Sequence, residues 1–263
     1  MKNNKSLGQN WLKDRPTLDL IADFATDLPE NSLEKDVQLC LEIGPGLGTL
    51  TSSLLKRFPK VLAVEFDQRL ATHLPKSIPG TNLTVVHQDF LKFDLTKITE
   101  PYVVAGNIPY YLTTPIIEQL LTAPAKPATL VLLVQKEVAE KLCPQESRLS
   151  NSSLSLFVEN FATPHLGPVV TRDFFTPPPK VDSQIIILTP RPTPLVSSDV
   201  LNFIHKSFTN PRKKLSANLA AFTNHSKTEL ETILQNQNLN PSARPADLTL
   251  ADYTALAKTL KTR

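Results

Sequence analysis

Apolar and polar positions fall into a repeating order over most of the chain, in which a short β-branched run is followed by a segment with helical spacing. Val37–Ile43, Lys60–Val64, Leu83–His87, Tyr102–Gly106, Thr129–Val134 and Gln184–Leu188 have the length and composition of buried strands. Between them lie helical patterns. Pro16–Asp27 carries Leu18, Ile21, Ala22, Phe24 and Ala25 on one face, and similar segments start at Leu50, at Pro115, at Lys136 and at Ser152. Strands alternating with helices predict an α/β chain with a doubly wound, mostly parallel sheet. Pro190-Arg191-Pro192-Thr193-Pro194 reads as a stiff linker, and only helical segments follow, including Phe208–Leu219. The expected division is therefore a sheet-bearing domain over 1–190 and a small all-helical C-terminal domain over 191–263.

The ends of the predicted strands carry the candidate chemistry. Val37–Ile43 runs into Gly44-Pro45-Gly46-Leu47-Gly48, where glycines let backbone approach a ligand at a helix start. The spacing is not the Gly-x-Gly-x-x-Gly of dinucleotide sites, which disfavours a nicotinamide cofactor. Glu65 ends the second strand and offers two acceptor oxygens to the hydroxyls of a ribose, or is an ordinary strand-end acid. Asp89 follows the third strand, next to Phe90, as an acceptor for an adenine amino group. The fourth strand ends in Asn107-Ile108-Pro109-Tyr110, where Pro109 halts the strand because it has no N–H to pair. That tetrad is either a turn with Tyr110 in the core, or a grip in which Asn107 meets a polar group while the Tyr110 ring lies flat beside it. Four such features at four successive strand ends argue for an adenosine-containing cofactor across the carboxyl edge of the sheet.

Composition adds limits. The 263 residues are 41% hydrophobic and 20% charged, in the range of a globular chain. The longest apolar stretch, Ala128–Val134, is far short of the roughly 18 residues of a membrane span, and no apolar signal core follows Met1. A soluble cytoplasmic protein, a monomer by default and without membrane contact, is the expectation. Cys40 and Cys143 lie far apart in the sequence, and Cys40, inside a buried-strand pattern, reads as a small apolar core residue rather than a metal ligand or disulfide partner; no cluster has metal spacing. Residues 191–263 hold ten Lys or Arg against five Asp or Glu, although the whole chain is only +3. Such an excess suits a phosphate backbone, or simply keeps helices solvated. Trp11, the sole tryptophan, sits in Gln9-Asn10-Trp11-Leu12, which is either a flap over a ligand or an arm on the body. Phe175, beside Thr176-Pro177-Pro178-Pro179, is either a rigid ring wall or core.

Five motifs in order, Leu7–Leu12, Glu42–Gly48, Asn107–Tyr110, Gln135–Ala139 and Phe175–Ser183, resemble the KsgA/RsmA family of ribosomal RNA adenine dimethyltransferases. Arg212–Leu219 and Arg244–Leu248 look like that family's helical domain. The resemblance implies a class I S-adenosylmethionine-dependent methyltransferase with a Rossmann-like sheet. It implies S-adenosyl-L-methionine as methyl donor without a metal, and two adjacent adenosines near the 3′ end of 16S ribosomal RNA in the small subunit or its precursor as acceptor. Residue by residue, it implies that Asn10 and Leu12 close the cofactor site and that Gly44 nears the methionine part. Glu65 would take the ribose, Asp89 the adenine amine, and Asn107 would lie between cofactor and target. Asn107 and Pro109 would then orient the base, Tyr110 and Phe175 would sandwich it, and Arg212, Lys213 and Lys214 would meet RNA phosphates. Trp11 stands where phenylalanine is usual, Ile108 where leucine is, Thr171 where proline is expected, and Arg148-Leu149-Ser150 lacks the usual preceding Tyr-Gly.

Overall fold

Seven strands form one sheet in the order β4-β3-β2-β5-β6-β9-β7 in the computed structural model, which describes residues 9–28, 36–80, 82–144 and 150–261. Leu7 and Gly8 of the first motif, Arg148 and Leu149, and Lys2 and Lys5 lie outside the described residues. In chain order the elements are β1 (Trp11–Leu12), α1 (Arg15–Thr26), β2 (Leu39–Ile43), α2 (Thr49–Leu54), β3 (Lys60–Glu65), α3 (Gln68–Ser77), β4 (Leu83–His87) and β5 (Tyr102–Asn107). There follow α4 (Thr113–Thr122), β6 (Leu130–Gln135), α5 (Lys136–Leu142), β7 (Ala162–Val170), β8 (Phe175–Thr176) and β9 (Ser183–Pro190).

Strands β4, β3, β2, β5 and β6 are mutually parallel, while β9 runs antiparallel to both β6 and β7. The strand order reverses between β2 and β5, so the glycine turn and Asn107 lie at neighbouring carboxyl ends, where open α/β sheets bind ligands. Every residue of β2 is buried, as β-rich runs covered on both faces should be. One core joins Leu18, Ile21 and Ala25 of α1 to Cys40, Leu54, Val103 and Val131. Helix α1 starts where the sequence puts a cap: Asp14 accepts from the Thr17 backbone N–H at 3.0 Å, with Pro16 in the first turn. Both cysteines are buried and unbridged.

Two differences from the sequence expectation have physical causes. The sequence pattern assigns no element to the stretch that forms strand β7, which contains Pro164, Gly167 and Pro168. It is an edge strand with an irregularity between Leu166 and Val169, and at an edge a missing N–H costs no ladder bond. The second concerns the domain boundary. The chain packs as two units, Met1–Ala139 with Ala162–Pro192, and Glu140–Phe161 with Thr193–Arg263, rather than being cut once after residue 190. The helix Ser153–Phe161 looks in sequence like one more sheet-covering helix. Its Leu156 instead shares a core with Ile204, Leu215, Leu230 and Tyr253.

Gly48 shows how tightly the turn is built. Its φ is +81° and it caps α2, and a Cβ there would stand 2.5 Å from Leu74 Cδ1 and 2.7 Å from Ile78 Cδ1. Gly48→Ala is therefore expected to cost about 1–3 kcal/mol, combining left-handed strain with overpacking against α3. Urea unfolding would measure it, and an unchanged midpoint would refute that packing.

Candidate active site

The turn after β2 is tied by two hydrogen bonds to the end of β3 and closed by a third within itself. Gly44 N–H donates to Val64 O at 2.9 Å, Gly46 N–H to Glu65 Oε2 at 3.0 Å and Gly48 N–H to Pro45 O at 2.9 Å. Glu65 is 5% exposed, and its other oxygen accepts from the Asp67 N–H at 2.8 Å. Burial raises its pKa, against the pull of those two N–H donors. Its carboxylate is thus fixed at the end of β3, with lone pairs remaining for hydroxyls. At the end of β4, Asp89 caps a short 3₁₀ turn through the Leu91 N–H at 3.0 Å, which fixes its carboxylate too.

Asn107 closes β5. Its Nδ2 donates to the Asn10 carbonyl at 2.9 Å, which fixes the amide plane and leaves Oδ1 as an acceptor for a ligand. Ile108 is buried beneath it, and Pro109, with φ −58°, starts a 3₁₀ turn from Tyr110 to Leu112. Tyr110 is half-buried and shares a 2.8 Å hydrogen bond with Ser183 Oγ, so its ring is tied at the hydroxyl end. The segment bearing Trp11 is not a free flap, since β1 pairs antiparallel with β8, Trp11 opposite Thr176 and Leu12 opposite Phe175.

These elements surround a cavity of about 260 Å³. Asn10, Leu12, Gly44, Glu65, Asp89, Asn107, Pro109 and Tyr110 all lie on its wall. Phe175 does not, which corrects the expectation of a second ring facing Tyr110. It is 3% exposed and packs with Leu12, Leu18, Val170 and Ile185, because pairing with β1 turns its side chain into the core. The exposed aromatic rings at the cavity are Phe66 and Tyr111. Glu42 was also missed as a wall residue. It is 1% exposed, and burial, then the nearby Glu65 charge, raises its pKa to about 8. An acid inside an apolar strand just before a glycine turn was the available signal.

The model of the family described as ribosomal RNA adenine dimethylase matches residues 1–261. The chain belongs to this family. Among adenine dimethylase relatives, ribosomal RNA small subunit methyltransferase A of Streptococcus pneumoniae strain D39 is 37% identical over 98% of this chain and 91% of its own length. Of solved structures, the 23S rRNA methyltransferase ErmE is 30% identical with a TM-score of 0.73, covering 96% of this chain and all of that one. A dimethyladenosine transferase from Plasmodium falciparum is 25% identical with a TM-score of 0.74, covering 95% and 97%. The adenine dimethylase family and its Rossmann-like methyltransferase fold imply use of S-adenosylmethionine. The cavity fits that group: two acids stand fixed at the ends of β3 and β4, and Trp11 Nε1, a buried atom of a wall residue, has no hydrogen-bond partner among the described residues.

Within the second unit of this adenine dimethylase, Arg212, Lys213 and Lys214 are exposed on a connection between the helices Ser198–Ser207 and Leu215–Leu219, not inside a helix. Asn218 shapes it, accepting from the Asn210 N–H at 2.9 Å and donating to the carbonyls of Asn210 and Lys214. Lys214 is paired with Glu231 at 3.2 Å. Among the described residues, no group of metal-ligating side chains is found and no helix is long and apolar enough to cross a membrane.

Proposed function

We propose that the chain transfers methyl groups from S-adenosylmethionine to N6 of two adjacent adenosines near the 3′ end of 16S ribosomal RNA. The acceptor is the small subunit or its precursor, in the cytoplasm where subunits assemble, and the chain acts as a monomer. The observation that carries this reading is the single cavity in which the Asn107–Tyr110 tetrad meets Glu65 and Asp89. Asn10, Leu12 and Gly44 wall the cofactor, Glu65 takes the ribose hydroxyls and Asp89 the adenine amine. The cofactor supplies an electrophilic methyl on a sulfonium.

The chain's own work is orientation. An adenine amino nitrogen is a poor nucleophile because its lone pair is delocalised into the ring. Asn107 Oδ1 and a backbone carbonyl at Ile108 or Pro109 accept its two hydrogens, which draws the nitrogen toward tetrahedral geometry with its lone pair directed into the cavity. Tyr110, tied to Ser183, gives the extruded base a fixed ring to stack on, a contact of about 1–3 kcal/mol. With Phe175 in the core, the opposite face of the base falls to Tyr111, which is 63% exposed at the cavity.

The test is transfer of labelled methyl to small subunits lacking the modification, with nucleoside mass spectrometry. Dimethyladenosine at adjacent positions is expected. The likeness to ErmE favours one rival, methylation of 23S RNA. Product on naked 23S RNA and none on small subunits would establish that reading instead.

Arg212, Lys213 and Lys214 are proposed to contact RNA phosphates. Replacing all three by Gln should lower the slope of log affinity against log salt by about 2, with Lys214 contributing least because Glu231 already neutralises it. Filter binding over a salt series measures this, and an unchanged slope removes the loop from the interface.

A further inference from the structure

Trp11 stands on the cavity wall with its indole against the glycine turn. Its Nε1 is buried and without a hydrogen-bond partner among the described residues, and Trp11 lies on the cavity wall. The same edge of the ring crosses the glycine turn, since a Cβ on Gly46 would stand 3.2 Å from both Cδ1 and Nε1. Gly46, at φ +59°, is bare where the indole rests. A buried donor left unpaired costs free energy, which a ligand acceptor would recover.

The inference rests on the cofactor reading above. A sulfonium carries three substituents. Its methyl must face Asn107, and its ribose must reach Glu65. The amino-acid tail is then left with the wall between them, formed by Gly44, Gly46 and Trp11. That tail carries a carboxylate, which needs donors. The N–H groups of Gly44, Gly46 and Gly48 are taken by Val64 O, Glu65 Oε2 and Pro45 O, and Asn107 Nδ2 by the Asn10 carbonyl.

We propose that the Trp11 indole N–H donates a hydrogen bond to the carboxylate of the cofactor's amino-acid tail, and that the ring seats that tail on the glycine turn. Trp11 is then a specificity-determining residue for ligands bearing an α-carboxylate. Phenylalanine, which the family resemblance leads one to expect at this position, would keep the ring and lose the donor.

The test compares two ligands by calorimetry on the full chain: S-adenosylhomocysteine, which has the tail, and 5′-methylthioadenosine, which keeps the nucleoside and sulfur without it. Trp11→Phe should weaken S-adenosylhomocysteine about tenfold and 5′-methylthioadenosine less than twofold. Replacing Trp11 by benzothienylalanine, isosteric but lacking the N–H, should do the same and keeps the packing on Gly46. Because Trp11 is the sole tryptophan, its emission in the wild-type chain should respond to S-adenosylhomocysteine more than to 5′-methylthioadenosine. Equal losses for the two ligands, or no loss for either, would overturn the inference while leaving the cofactor reading intact. A wild-type chain that binds neither ligand would overturn both.

Discussion

Asn107→Ala should lower kcat for methyl transfer by about 100-fold, with less than a tenfold loss of S-adenosylhomocysteine affinity. The asymmetry follows from what the side chain does on each side. Toward the protein it makes one bond, Nδ2 to the Asn10 carbonyl, so removal loosens part of the cofactor wall. Toward the target it supplies the Oδ1 that holds the amino nitrogen in line, and misplacing a reacting atom by about 1 Å can cost on the order of 100-fold. Single-turnover rates on assembled small subunits, beside calorimetric affinities, separate the two. Wild-type kcat in the variant would remove Asn107 from the chemistry, whereas parallel losses in both quantities would make it a cofactor residue only.

The wild-type chain should lose stability as pH rises from about 4.5 through 8, and Glu42→Gln should abolish much of that loss. Glu42 has its folded pKa raised to about 8 from an ordinary 4.5, by burial first and then by the negative charge of Glu65. A raised carboxyl pKa means that the folded state holds the proton more tightly than the unfolded one. Between those two values the unfolded chain releases a proton that the folded chain keeps, so the penalty is absent below 4.5 and complete above 8. Gln has the same shape and does not titrate. The variant should match the wild type near pH 4.5 and exceed it at pH 8.5 by on the order of a few kcal/mol, within the scatter of buried acids. Denaturant melts at the two pH values measure this. A difference that stays constant with pH would mean that Glu42 is ionised in the folded protein throughout.

The period of the apolar pattern was enough to place β2 to β6 together with α1, α2 and α4, because strands buried on both faces must be β-rich and helices covering a sheet must show one apolar stripe. It also placed Glu65, Asp89 and Asn107 at strand ends, and in a parallel sheet all carboxyl ends lie on one edge, so residues far apart in the sequence converge without further information. Edge strand β7 was illegible because its prolines forbid an interior strand and the sequence does not say which strand is outermost. The second unit recruits the helix Ser153–Phe161 from before the linker, since an amphipathic helix does not encode which core it joins. Whether Phe175 faces a ligand or the core was likewise undecided in one dimension. Pairing of β8 with β1 decided it, because register in a strand pair fixes which side chains share a face. The same pairing holds Trp11, whose ring lies against Gly46 and whose N–H has no partner among the described residues. The sequence alone thus determined the sheet, its ligand edge and the residue types at that edge, which follow from local period and connectivity. Which rings and polar atoms face the cavity depended on contacts between segments about 35 to 165 residues apart in the chain, and only the tertiary structure could supply those.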